Sequence, residues 1–123
     1  MKKREVITYK DYFEDFFRVQ PQKIRDKIIK VLDIIEQVER LPASYLKHIA
    51  GTNGLYEVRV QMGNNIFRIF CFFDGEKFVV LLTGFQKKTQ KTPAGEIKKA
   101  VRLMEEYYKE KEDENKNAGT DKA

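Results

Sequence analysis

The sequence runs to 123 residues, 41% hydrophobic and 35% charged, with one cysteine, one histidine and a formal net charge of +5. That length holds one core rather than two, and no run approaches the ~20 apolar residues of a membrane span. The basic start Met1-Lys2-Lys3-Arg4-Glu5 lacks a secretory leader pattern, a lone Cys71 makes no internal disulfide, and one cysteine with one histidine builds no Cys/His zinc cage. A cytoplasmic protein without metal or cofactor is expected.

Residues 4–9 read as a short strand with Val6 and Ile7 at its centre. Tyr9, Phe13, Phe16 and Phe17 then recur at helical spacing, and Pro21 opens a second helix at its first position. There Ile24, Ile28, Val31, Leu32, Ile35 and Val38 form one apolar stripe, and Leu41-Pro42 ends it. The two helices predict an antiparallel hairpin that needs a surface to cover. After a loop from about Pro42 to Gly54, that surface follows: strands Leu55–Met62, Asn65–Phe73 and Lys77–Phe85, parted by the turn signals Gly63-Asn64 and Asp74-Gly75. The third strand is apolar on both faces, so it belongs in the middle, between the meander and the first strand. Thr92-Pro93 resembles an N-cap with proline at the first helical position. The last helix takes its stripe from Ile97, Ala100, Val101, Met104 and Tyr108. The whole is an α+β domain over residues 1–108. Residues 109–123 lack apolar periodicity and are expected to be a charged, disordered tail.

Charge is concentrated. Between Phe85 and Arg102 six basic residues face only Glu96, which points to a polyanionic partner or, more simply, to a lysine-rich solvated surface. Strand register sharpens the choice. A two-residue turn at Gly63-Asn64 pairs Met62 with Asn65 and so sets Arg59 against Arg68. Val58, Val60, Phe67 and Ile69 share the core face, with Glu57, Arg59 and Arg68 on the other. Opposed arginines repel by roughly 0.2–1 kcal/mol. They are either bridged by Glu57 on an exposed face or a preformed anion site. Truncating Arg68, opposite the core residues, is expected to open no cavity.

The segment Gly84 to Pro93 leaves the sheet beside these strands and enters a helix N-terminus. It adds Lys87, Lys88 and Lys91 as cations and Thr89, Gln90 and Thr92 as neutral hydrogen-bonding groups. His48, beside Lys47, can titrate near neutrality but is more simply a surface residue. Tyr45 and Tyr56 suit base stacking, although the parity of Tyr56 favours the core. Cys71 shares the parity of Phe67 and Ile69 and reads as a small core side chain.

Leu55-Tyr56-Glu57-Val58-Arg59, Ile66-Phe67-Arg68-Ile69-Phe70 and the run Leu81 to Pro93 resemble the RelE/HigB toxin superfamily, most closely its phage-derived HigB-like branch. The resemblance spans roughly residues 4–108 and implies a RelE-like fold: an N-terminal strand and helical hairpin on an antiparallel sheet, with a C-terminal helix. It implies a type II toxin, a metal-independent endoribonuclease cutting messenger RNA on the translating ribosome. The implied partner is a helix-turn-helix antitoxin, with no membrane involved. Arg59 and Arg68 match basic positions on the sheet's concave face and are assigned to transition-state charge stabilisation. Lys87 or Lys88 is assigned to phosphate positioning or proton donation. Lys47, Thr89, Gln90 and Lys91 are assigned to RNA binding. Some relatives use C-terminal histidines or a tyrosine as base; this chain lacks that histidine set, leaving Glu57 and His48. The rival reading is a non-catalytic RNA- or protein-binding module on the same scaffold.

Overall fold

The computed structural model describes residues 2–121. β1 (Glu5–Thr8) leads through Lys10, a non-glycine residue at φ 59°, into α1 (Tyr12–Arg18) and α2 (Gln22–Gln37). Pro21 stands just before α2 rather than inside it, and its carbonyl accepts from Ile24 N and Arg25 N. Arg4 closes the far end of α2: Nη1 donates to Ile35 O and, at 2.7 Å, to Val38 O, while Nη2 donates to Glu39 O at 2.8 Å. One guanidinium thereby satisfies carbonyls that a helix end leaves open and ties it to the first strand.

Five strands make one sheet in the order β1-β5-β4-β3-β2. β2 (Leu46–His48) lies inside the expected loop as a three-residue edge against β3 (Tyr56–Met62). β3 turns tightly at Gly63, φ 61°, into β4 (Asn65–Asp74), which pairs with β5 (Phe78–Lys87). β5 is an interior strand, as its two apolar faces predicted, between β4 and a parallel β1. The Met62–Asn65 register holds through Arg59–Arg68 and Val58–Ile69.

The sheet lies between two helical layers. Ile24, Ile28, Val31 and Ile35 of α2 and Phe13 of α1 bury one face together with Val58, Val60, Phe67, Ile69 and Cys71. α3 (Ala94–Asp121) covers the other with Ala100, Leu103 and Met104 over Phe70, Phe72, Val80 and Leu82. Its first carbonyl acceptor is Pro93, one residue later than the expected cap.

Past Tyr108 the chain continues α3 as a helix to Asp121, where a disordered tail was expected; residues 122 and 123 lie outside the described residues. Sheet contacts support its next turn. Asp74 Oδ2 accepts from Tyr107 Oη at 2.5 Å and from Lys111 Nζ at 2.6 Å, and Tyr108 Oη donates to Phe73 O at 3.3 Å. Lys111, then Tyr107, holds the Asp74 carboxyl below its ordinary value of 3.8. A depressed carboxyl stabilises the fold above its unfolded pKa, and that contribution fades as pH falls through the folded one. Asp74→Asn should therefore melt below the native protein at pH 7, and the gap should close below about pH 4; a gap constant with pH would remove charge from the explanation.

One irregularity decides which residues meet. β5 carries an extra residue opposite Phe70 and Cys71: Thr83 pairs with Phe70 and Leu81 with Cys71, leaving Leu82 unpaired. Simple alternation from Leu82 would aim Thr83, Phe85 and Lys87 at the α1–α2 side. The bulge resets the parity, as bulges do. Phe85 joins the α3-side cluster, and Gly84 faces Phe16 of α1.

Candidate functional site

Beyond the cover of α3, the same sheet face carries ionic rows. One row crosses Lys47, Glu57, Phe70 and Thr83; the next crosses Arg59, Arg68 and Phe85; the third ends on Ile66 and Lys87. Arg59 and Arg68 are opposed, as the turn predicted, and Glu57 stands between them. Its Oε1 lies 3.9 Å from Arg59 Nε and its Oε2 lies 3.4 Å from Arg68 Nε.

The expected exposed face is not exposed here. The side chains of Glu57 and Arg68 retain only 6% and 8% of their accessible surface, against 32% for Arg59. Arg68 is thus a buried cation in contact with a buried carboxylate, and removing it leaves that carboxylate short of a partner. The expectation that its truncation would be harmless to the fold is corrected on this ground. Burial lowers the Arg68 pKa and Arg59 adds to the effect, while Glu57 opposes it. Arg68 Nη1 donates to Phe67 O at 3.1 Å. Its Nε and Glu57 Oε2, though close, do not form a hydrogen bond.

Lys87, half-buried at the end of β5, has its pKa lowered by burial first and then by Arg68, with Glu57 opposing and Arg59 and Lys47 adding. A lowered lysine gives up its proton more readily than a free one. Past it, Lys87, Lys88, Thr89 and Gln90 join Asn64 and Ile66 around an open cleft of about 550 Å³. Lys88, Gln90 and Lys91 are exposed, and Thr89 Oγ1 donates to Lys91 O at 2.8 Å. Lys47 reaches the face from the edge strand, where it is exposed.

His48 does not join the group. It pairs with Tyr56 on the opposite face, ring edge to ring at 5.2 Å, and Tyr56 in turn packs against Phe73. Tyr45 and Tyr56 pack against the α1–α2 core instead of lining the site. Cys71 is fully buried, and burial pushes its thiol pKa up, so it is no nucleophile. Among the described residues no three His, Cys, Asp or Glu side chains converge as metal ligands would, and no helix is long and apolar enough to cross a membrane. Chemically the site offers four cations around one carboxylate, beside an open cleft: a place for a phosphate within a chain.

If this face holds RNA by its backbone, replacing Lys87 and Lys88 by glutamine should weaken binding for many sequences alike and flatten its salt dependence by roughly 1.4 in slope, about 0.7 per lost phosphate contact on a single strand. Titrations at several salt concentrations, with a melting curve, check this. An unchanged slope in a stable protein would move the phosphate contacts to Arg59 and Arg68.

Comparison with known proteins adds family and fold. The profile of the family described as "Phage derived protein Gp49-like" matches residues 15–105. No curated protein matches the chain. Among solved structures, the archaeal RelE–RelB complex from Pyrococcus horikoshii OT3 has a chain similar at 19% identity and TM-score 0.50, over 67% of this chain and 92% of that one. At that identity the likeness concerns the fold, which is RelE-like.

Proposed function

Because the chain belongs to the phage-derived Gp49-like family and its fold is RelE-like, we propose that it is a RelE-like type II toxin acting as a metal-independent endoribonuclease on messenger RNA at the translating ribosome. One observation carries the reading: two arginines opposed across β3 and β4, one exposed and one buried, share a single carboxylate. Two guanidiniums over one carboxylate keep a net positive charge, which supports a phosphate as the further partner.

In the proposed reaction the ribose 2′-oxygen attacks the adjacent phosphorus. The P–O5′ bond breaks, a 2′,3′-cyclic phosphate forms, the 2′-hydroxyl proton passes to a solvent water, and O5′ takes a proton from the protein. Charge grows on the non-bridging oxygens, and preorganised cations aimed there give the largest single contribution. Arg59, the more exposed of the pair, meets the phosphate, and Arg68 backs it from beneath. Lys87, at the end of β5 beside the arginine pair and with its pKa lowered by burial and Arg68, is the proton donor to O5′. Glu57, between the two guanidiniums, is proposed to orient them, and the place of His48, paired with Tyr56 on the opposite face, supports water over it as the proton acceptor. Lys47, Lys88, Thr89, Gln90 and Lys91 extend the RNA path. The protein named with the RelE chain in the archaeal complex, RelB, supports a proteinaceous antitoxin for this chain too; we take it to be a helix-turn-helix protein acting in the cytoplasm.

Induced expression should arrest growth, a cognate antitoxin should relieve the arrest, and primer extension should find new 5′ ends inside translated codons. Arrest with intact messages would favour a binding module that kept the scaffold without the chemistry.

A further inference from the structure

We propose that Thr83 is a positioning residue for Arg68, its hydroxyl accepting from the guanidinium Nε when Arg68 engages a phosphate. The proposal rests on the function read above for the arginine pair and goes beyond it by adding a residue outside the charged set.

Thr83 is 3% exposed, and its Oγ1 has no hydrogen-bond partner. The preceding residues Val79, Val80, Leu81 and Leu82 are all buried and apolar. A valine there would have nearly the same shape without a buried hydroxyl to satisfy, so packing alone gives no reason for the oxygen. Its location does. Phe70 pairs with Glu57 on one side and Thr83 on the other, and Arg68 lies two residues before Phe70 on the same face. Glu57 and Thr83 are thus the diagonal neighbours of Arg68 on the Phe70 side, one on each flanking strand, with Gln61 and Lys87 on the other side, at the roughly 7–8 Å separation a long side chain spans. The bulge at Leu82 brings Thr83 to this face at all.

Glu57 Oε2, Arg68 Nε and Thr83 Oγ1 are each buried and each lack a hydrogen bond. Without RNA, the charge of Arg68 is balanced by Glu57 at 3.4 Å. A phosphate arriving at Arg59 competes with Glu57 for both guanidiniums. If Arg68 turns its outer nitrogens to that phosphate, its Nε–H needs a neutral acceptor that will not compete for the charge. Thr83 supplies one from the β5 side.

The test compares Thr83→Val, which removes the oxygen and keeps the shape, with Thr83→Ser, which keeps the oxygen. Thr83→Val should cut cleavage of ribosome-bound message at least about tenfold, as displaced positioning groups do, with an equal or higher melting temperature. Thr83→Ser should cleave within about twofold of the native protein despite a lower melt. Exchange of the Arg68 Nε–H, followed by nuclear magnetic resonance with a short non-cleavable RNA bound, should be faster in Thr83→Val than in the other two. Equal cleavage by Thr83→Val, equal loss in both variants, or unchanged Nε–H exchange would overturn the proposal. A native protein that binds this RNA but cuts none, while its Nε–H still depends on the Thr83 hydroxyl, would sink the nuclease reading and leave the positioning role standing.

Discussion

Arg68→Ala is expected to lose RNA cleavage by roughly two to three orders of magnitude, the usual cost of removing one donor to developing charge. It should also lower the melting temperature by roughly 10 °C. The second effect follows from burial. Glu57 keeps only 6% of its side-chain surface, and without Arg68 its remaining cation is Arg59, 3.9 Å away and one-third exposed. Breaking a buried pair from one side costs about 3–5 kcal/mol, and the surviving Arg59 puts this case at the low end. The two effects separate in a companion variant, Glu57→Gln with Arg68→Met, which removes both charges and keeps the volume. That protein should melt near the native one and still fail to cut RNA or arrest growth. Recovered cleavage in the companion would show that Arg68 serves the fold alone.

Gly84→Ala should destabilise by roughly 2–3 kcal/mol, in the upper part of the overpacking range. A Cβ at this position would stand 2.4 Å from Phe16 Cδ2, with two more ring carbons within 2.8 Å. The ring has little freedom to retreat, because Phe13 and Phe67 each flank it at a centroid distance of 6.2 Å. Phe16→Leu in the same chain should recover part of the loss, so that the double variant melts higher than the sum of the single losses predicts. Strict additivity would mean that the ring is not what the glycine makes room for. Because Gly84 lies between the bulge and Lys87, the single variant should also cut RNA less well at temperatures where it remains folded.

The sequence made the frame legible where a local rule fixed a distant partner. Gly63-Asn64 set the whole β3–β4 register, including the Arg59–Arg68 pair, and the two-faced apolar run from Phe78 placed β5 inside the sheet, between the meander and β1. Three things escaped it for physical reasons. Leu46–His48 is a strand only because β3 offers it an edge, and three residues carry no period of their own. Parity told which residues share a face but not how deeply the fold would bury Glu57 and Arg68, so an ion pair that looked solvated is enclosed. The bulge at Leu82 left no mark in the pattern of apolar residues, yet it turns Thr83 and Lys87 toward the arginines. The one available clue was a hydroxyl, Thr83, inside an otherwise apolar run. Beyond Tyr108 the charged composition hid a helix anchored by Asp74, a partner 33 residues upstream of Tyr107.

The parallel pairing of β1 with β5 also governs the order in which the molecule assembles. Glu5 and Phe78 are partners 73 positions apart, whereas β3, β4 and β5 join through tight turns. Distant partners pay loop-closure entropy before any contact repays it, so they meet late. A chain emerging from its own ribosome therefore completes the arginine hairpin first, while its first strand waits for the last one to appear. From the moment β5 joins β4 until β1 docks, one side of β5 is an open edge, able to accept a strand from another chain as readily as its own. The nascent protein is thus most prone to misassociation after its charged site has formed and before its sheet is closed.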